Sequence, residues 1–458
     1  MTEPVPAAVR VLVPTGMIGA GTTAELVQAG IDLGADVIAC DGGSTDSGPY
    51  YLGASTPKTT ERAVASDLRI MLKAAAAAGI PVIVGSCGTS GTDSGVDWLA
   101  GIAHQVMADE GISLKVARIY SEQSKAVVLE RLGAGRVHPL APAGPLDPAT
   151  VDRCEHIVGL LGHQPIVEAL RQGADVVLAG RTTDTAVLAA VPLMRGMPAG
   201  PSWHAAKTTE CGGQCTASPR SGGVLFSVDA EGFTVEPLDP TNACTPTTVA
   251  AHMLYENADP FRMREPSGTL DTSAAVYTAL DDRRVRVEGS AFEHADVHTM
   301  KLEGSAIGGY QSIALVGIRD PEVLAHIDEW VAGLGQFLND GIQRILGLQP
   351  DEYSIQLRCY GHNAVLGPLE PEATTAPREV GLLTIATAAD QATATAITKY
   401  ANPYLLHFPL PHMRDLPSFA FAGSPAETPR GAVYEFVLQH AVELDHPLDL
   451  ARIEMSAL

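Results

Sequence analysis

The stretch ADVVLAGRTTDTAVLAAVPLMRG, from Ala174 to Gly196, changes character in its middle. Asp175 opens a short apolar run, Val176 to Ala179, that reads as a buried strand. Gly180, Arg181, Thr182, Thr183 and Asp184 then arrive together before a second apolar run begins. An arginine and an aspartate directly after a core strand either close a turn or are aimed into a site.

Working back from this strand, the same rhythm recurs. RVLVPTG is a short β-rich run followed by Gly16, Gly19 and Gly21. TTAELVQAGIDLG has apolar residues at helical spacing and ends in glycine, as a C-cap requires. ADVIACDGG is a second strand, ERAVASDLRIMLKAAAAAG a helix, and IPVIVGSCGTSG a third strand. VDWLAGIAHQVMADEG is helical, SLKVARIYSE extended, and QPIVEALRQG helical again. Strands separated by helical patterns predict βαβ crossovers. The expected architecture for residues 1–205 is an α/β domain with a mostly parallel, Rossmann-like sheet and helices on both faces.

Beyond about residue 205 the rhythm changes. GGVLFSVDAEGFTVEPLD reads as a hairpin, and RRVRVEG, HTMKLEG and YQSIALVGI as further strands. PEVLAHIDEWVAGLGQFLNDGIQRILG predicts one long helix, followed by strands in YSIQLRCYG and EVGLLTIATAA and a helix from Ala388 to Tyr400. Strands in groups with helices on one side predict an α+β domain over residues 206–458. LGPLEPEATTAPRE reads as a surface loop, and no internal repeat is found.

Composition narrows the partners. Apolar residues make up 46% of the 458, which places the chain among globular proteins. The formal charge of −23 repels polyphosphate and argues against nucleic acid, while leaving room for one anionic ligand held by local arginines. MTEPVPAAVRVLVPTG lacks the order of a signal peptide, and LKAAAAAGIPVIVG, broken by Gly79 and Pro81, is too short to span a bilayer. Seven scattered cysteines, an odd number, argue against a disulfide framework. No membrane association and a cytoplasmic location are expected.

In an open parallel sheet, ligands bind beyond the carboxyl ends of the strands, so the post-strand loops are the places to inspect. Gly16, Gly19 and Gly21 are spaced G-x-x-G-x-G, which is not the dinucleotide order, and no Walker A sequence occurs. Asp41 and Asp46 flank Ser44 and Thr45 after the second strand, and Ser86, Thr89, Ser90, Thr92 and Asp93 follow the third. Each group alone is explained by Asx and Ser turns satisfying their own backbone. Side by side at one sheet edge, they instead make a polar cup suited to a carboxylate or phosphate. Arg181 would complete it, since its planar fork matches a carboxylate.

A second constellation, WHAAKTTECGGQC, gathers His204, Lys207, Glu210, Cys211 and Cys215. Its readings are a metal-binding cysteine pair, a reactive thiolate, inert buried cysteines, or a Gly-rich turn presenting Glu210 as general acid or base with Lys207 or His204 tuning it. His362, His407 and His412 lie near proline-rich turns and read as structural or solvent-facing, while HFPLPHMRDLP is too irregular for a helix or strand.

GRTTDTAVLAAVPLMRG, TECGGQCTASP and LDPTNACTPTTVAAHMLYENADPFRM, in this order after a glycine-rich α/β half, resemble the acyclic terpene utilization protein A family. The similarity runs from about Val9 to about Asp449. Some members carry a further ferredoxin-like region opening with an ARSGDKG-like motif. This chain lacks that motif and resembles a compact branch. The resemblance implies a cytoplasmic bacterial protein of carboxylate, amino-acid or terpenoid catabolism that works beside a small companion protein, so an oligomer is expected.

The reading that joins these observations is a lyase, of hydro-lyase type, acting on a small branched carboxylate or its CoA thioester. Arg181 binds the substrate carboxylate, with Thr183, Ser44, Asp46, Thr89, Ser90, Gly212 and Gly213 around it. Asp184 orients Arg181 or a catalytic group, and Glu210 or Lys207 moves the proton. Backbone amides of the Gly-rich loops stabilise enolate-like charge. The alternative is a non-catalytic ligand-binding or scaffold subunit of a larger catabolic complex. A third reading, for which no cofactor is otherwise expected, is a metal-dependent enzyme using Asp41, Asp46, Asp93 or the His and Cys cluster.

Overall fold

The computed structural model describes residues 6–371 and 377–456. Part of the LGPLEPEATTAPRE stretch, residues 372–376, and the first five residues of the chain lie outside the described residues.

Strand Val176–Ala179 sits at the heart of a sheet that has ten strands among the described residues. Five strands run parallel, in the order Ala8–Val13, Val37–Asp41, Val82–Gly85, Val176–Ala179 and Val116–Tyr120. Alternation along each strand feeds two separate cores. Val9, Val11 and Val13 join one cluster while Leu12 joins the other, and Val177 and Ala179 oppose Val176 and Leu178 in the same way. A strand buried on both faces needs apolar residues at every position, which is why these runs are continuous.

Helices Ala24–Asp32, Glu61–Ala78 and Asp93–Glu110 supply one layer, through Val27, Leu68, Met71 and Leu99. Helices Gln164–Arg171, Asp184–Met194 and Ala199–Thr209 supply the other, through Ile166, Leu188 and Trp203. Threonine caps start several of them: Thr23, Thr60, Thr92 and Thr183 each accept a backbone N–H of the first turn. The expected Rossmann-like α/β layering is present.

The chain divides into two compact units, Met1–Ala306 with Phe436–Leu458, and Ile307–Glu435. The change of rhythm near residue 205 is therefore not where the units part. The hairpin Val224–Asp229 and Gly232–Pro237 extends the first sheet, pairing antiparallel with Ala8–Val13 through Val224–Asp229. The second unit is an antiparallel arrangement in which Tyr353–Tyr360 and Tyr310–Ile318 both pair with Val380–Ala388. Helices Ile327–Gly341 and Gln391–His407 cover its core around Trp330, Leu334, Ile397 and Leu405.

Two details differ from the sequence reading. HTMKLEG and YQSIALVGI are parts of one strand, Thr299–Ile318, which runs on through the turn-favouring pair Gly308–Gly309. The single long helix is split at His326 (φ −125°) into Pro321–Ala325 and Ile327–Gly341. No helix among the described residues is long and apolar enough to cross a membrane.

Candidate functional site

The strand order places the loops after Ala8–Val13, Val37–Asp41, Val82–Gly85 and Val176–Ala179 side by side, as expected. Small residues let them interlock. A Cβ on Gly91 (φ +69°) would lie 2.0 Å from the Arg181 nitrogen, and one on Gly42 would lie 2.4 Å from the Gly85 carbonyl oxygen. A Cβ on Gly16 would meet the Cys211 backbone at 2.7 Å. Gly16 thus serves close packing against the Cys211 turn, a role unrelated to phosphate. Ser86 and Thr89 adopt positive φ (44° and 80°), a region that costs a non-glycine residue free energy and is tolerated where neighbours hold it. The Thr89 hydroxyl accepts the Lys58 N–H at 2.8 Å, and the Ser90 hydroxyl donates to the Tyr51 carbonyl at 3.2 Å. Both residues are fully buried. Their hydroxyls hold the loop, and neither residue lines the cleft described below, so the expected substrate contacts do not follow from their placement.

Arg181 answers to the protein itself. It is 5% exposed, and its Nε donates to Glu303 at 3.2 Å. Its Nη1 donates to the Ser86 hydroxyl and its Nη2 to the Thr45 hydroxyl, each at 3.1 Å. Thr45 in turn donates to Glu303 at 2.9 Å, and Lys301 meets the other Glu303 oxygen at 2.7 Å. Glu303, despite its burial, is held below the usual carboxylate range by Arg181 and Lys301. The guanidinium fork is therefore occupied, and the expectation that Arg181 clamps a substrate carboxylate is corrected: it ties three loops to an inward-facing glutamate.

Asp184 is the member of the pair that reaches open space. It begins helix Asp184–Met194 behind its Thr183 cap and stands 3.6 Å from Arg181 Nη1. It lines a cleft of about 820 Å³ together with Asp41, Ser44, Asp46, Glu210, Cys211 and Gly213. Asp41 is 8% exposed; its Oδ2 accepts the Gly43 N–H at 2.9 Å, and its Oδ1 has no hydrogen-bond partner. Burial, then the Asp184 charge, pushes the Asp41 carboxyl well above its ordinary value, and burial raises Asp184 as well against the pull of Arg181. Ser44 is used in part as a cap, accepting the Asp46 N–H at 3.1 Å. Two cations, Lys58 and Arg220, stand among the cleft residues.

Glu210 follows helix Ala199–Thr209 and is bonded to Lys207 one turn earlier, both nearly fully buried. Burial outweighs the ammonium and lifts Glu210 to about 8. Lys207 is absent from the cleft lining and acts behind Glu210. Gly212 (φ +60°) makes the turn, with its Cβ position 2.7 Å from the Gly16 nitrogen. His204 does not join this group: Ser290 meets its Nδ1 at 2.7 Å and Tyr277 its Nε2 at 3.1 Å. Cys215 is buried, all seven cysteines are free, and burial raises the Cys211 thiol. Asp93 is placed elsewhere, beside Glu122 and Arg452.

Glu265 was not anticipated. It is 7% exposed and accepts the Thr183 hydroxyl at 2.9 Å and the Thr185 hydroxyl, with burial raising it to about 7. Glu303 and His252 were missed too. TMKLEG carries no signal for Glu303, because strand alternation puts it on the Lys301 side, opposite the core residues Met300 and Leu302. His252 lies within the LDPTNACTPTTVAAHMLYENADPFRM signature.

A doubly wound sheet whose carboxyl-edge loops gather carboxyl groups over one cleft defines an α/β protein with its candidate site at the strand ends. The chain belongs to the family described as acyclic terpene utilisation family protein AtuA, whose model matches residues 54–439. No curated protein and no solved structure matches it.

Proposed function

We propose that the cleft is the active site of a lyase, of hydro-lyase type, acting on a small branched carboxylate. The observation that carries this reading is the pair Asp41 and Asp184: carboxyl groups from the ends of two strands, one strand apart in the sheet, that line one cleft, Asp41 with an oxygen that no protein group satisfies. Two such acids in a low-dielectric pocket share protons unequally, so one is ionised while the other is not. The ionised partner removes a proton from the carbon beside the substrate carboxylate. The protonated partner hands its proton to the departing hydroxyl, the carbon–carbon double bond forms, and water leaves. Glu210, positioned by Lys207, is the third acid at this floor.

Lys58 and Arg220 take over the carboxylate-binding role first given to Arg181. The acids facing the cleft disfavour the diphosphate of CoA, so the free acid is preferred to the thioester. An isoprenoid skeleton is methyl-branched, which agrees with the family's description.

Purified protein is incubated with branched hydroxy acids and their unsaturated partners in deuterated water. Turnover with deuterium entering the α-carbon is expected. Asp184→Asn and Asp41→Asn should each lower kcat/KM by about 100-fold or more with the circular dichroism unchanged. Full activity in both variants overturns the assignment. If the chain alone turns over nothing and a co-purifying partner restores activity, its role is that of a non-catalytic subunit.

A further inference from the structure

Behind the acid pair, the cleft holds a different kind of chemistry. One carboxylate oxygen of Glu210, the Cys211 sulfur and one ring nitrogen of His252 all lie within 4.8 Å of one another. The two chain segments meet because the Cys211 turn packs next to helix Pro246–Ala251, at whose end His252 stands. His252 is 5% exposed, and its Nε2 is buried with no hydrogen-bond partner. Leaving a buried imidazole nitrogen unpaired costs free energy, roughly 1–3 kcal/mol for a polar group, unless something binds it. Glu210 and Cys211 also line the cleft, so whatever they hold is open to small molecules.

We infer that Glu210, Cys211 and His252 form a binding site for one divalent transition-metal ion, of the zinc class, with an open position facing the cleft. An oxygen, a sulfur and a nitrogen donor make a borderline-soft set that suits zinc and its neighbours and does not suit magnesium or calcium. Around a tetrahedral zinc, neighbouring ligand atoms stand roughly 3.3–3.8 Å apart, so small side-chain rotations close this triad. Three protein ligands with a vacant fourth position is the catalytic pattern, distinct from the four-ligand structural one. Lys207, bonded to Glu210, fits as the hydrogen-bonding neighbour that fixes the ligating carboxylate. Asp41, Asp46, Asp184 and Glu256 around the cleft add the negative field that draws a cation in.

This goes beyond the lyase reading and stands without it, because its readout needs no substrate. Full-length protein stripped with chelator is titrated with cobalt(II) and, separately, with zinc(II). One equivalent of cobalt should bind and produce a thiolate-to-metal absorption band in the near ultraviolet, which zinc then displaces. Cys211→Ser should abolish the band, and His252→Asn should weaken binding at least 100-fold. Circular dichroism confirms that each variant is folded. If Cys211→Ser fails to fold, His252→Asn decides alone. No stoichiometric binding, or binding that survives both substitutions, overturns the inference.

Discussion

At the scale of single residues, Arg181 and Glu303 show how a functional-looking pair becomes architecture. Removing the guanidinium leaves Glu303, 3% exposed, with only Lys301 and the Thr45 hydroxyl, a loss of up to about 3–5 kcal/mol for a broken buried pair. Arg181→Met should therefore lower the urea midpoint sharply, whereas a substrate-binding role alone would leave stability intact. Glu265 gives a second reading of the same neighbourhood. Its ordinary value is 4.5 and its folded value about 7, so between these the unfolded chain releases a proton that the native chain keeps. Stability contributed through Glu265 is thus lost as pH rises from 4.5 to 7, by roughly 3 kcal/mol at 1.36 kcal/mol per unit. Glu265→Gln should remove that loss, so the variant gains on the wild type steadily across this window in urea unfolding. Parallel curves would show that the carboxyl is already ionised in the native protein.

At the scale of elements, the loops depend on backbone contacts that side-chain patterns do not disclose. Gly91→Ala places a Cβ against the Arg181 backbone in a left-handed conformation, and should cost more than about 2 kcal/mol in thermal or urea unfolding. Thr183→Ala removes both the cap of helix Asp184–Met194 and a hydroxyl on Glu265. The parallel strands were legible because double-sided burial writes continuous apolar runs, as in Val176 to Ala179. The side-by-side polar loops followed from the same pattern. What those loops do with their side chains was not legible. Thr89, Ser90 and Arg181 are satisfied by Lys58, Tyr51 and Glu303, the last 122 positions from Arg181, and no local signal reports a partner that distant. The boundary near 205 misled for a kindred reason: a hairpin can close a separate domain or extend an existing sheet, and only pairing with Ala8–Val13 decides.

At the scale of the molecule, buried neutral histidines set an acid limit. Burial lowers His163 from 6.5 to about 4 and His204 to about 3. Below pH 6.5 the unfolded chain takes up protons that these native imidazoles refuse, so stability present above 6.5 is lost as pH falls toward 4. His163→Phe should flatten that acid limb in unfolding measured at several pH values; an unchanged slope would exclude His163 as a contributor. The two units have separate cores, and the first is interrupted in sequence by the second. Strand Arg452–Ser456 pairs antiparallel with Val116–Tyr120 at the sheet's edge. During synthesis, then, Val116–Tyr120 emerges with its outer hydrogen bonds unmet and waits for more than three hundred residues before its neighbour is made. An exposed strand edge is a template for other chains. The ribosome-bound intermediate is consequently the form of this protein most in need of a chaperone, and a gene stopped just before codon 452 should yield aggregates in place of soluble product.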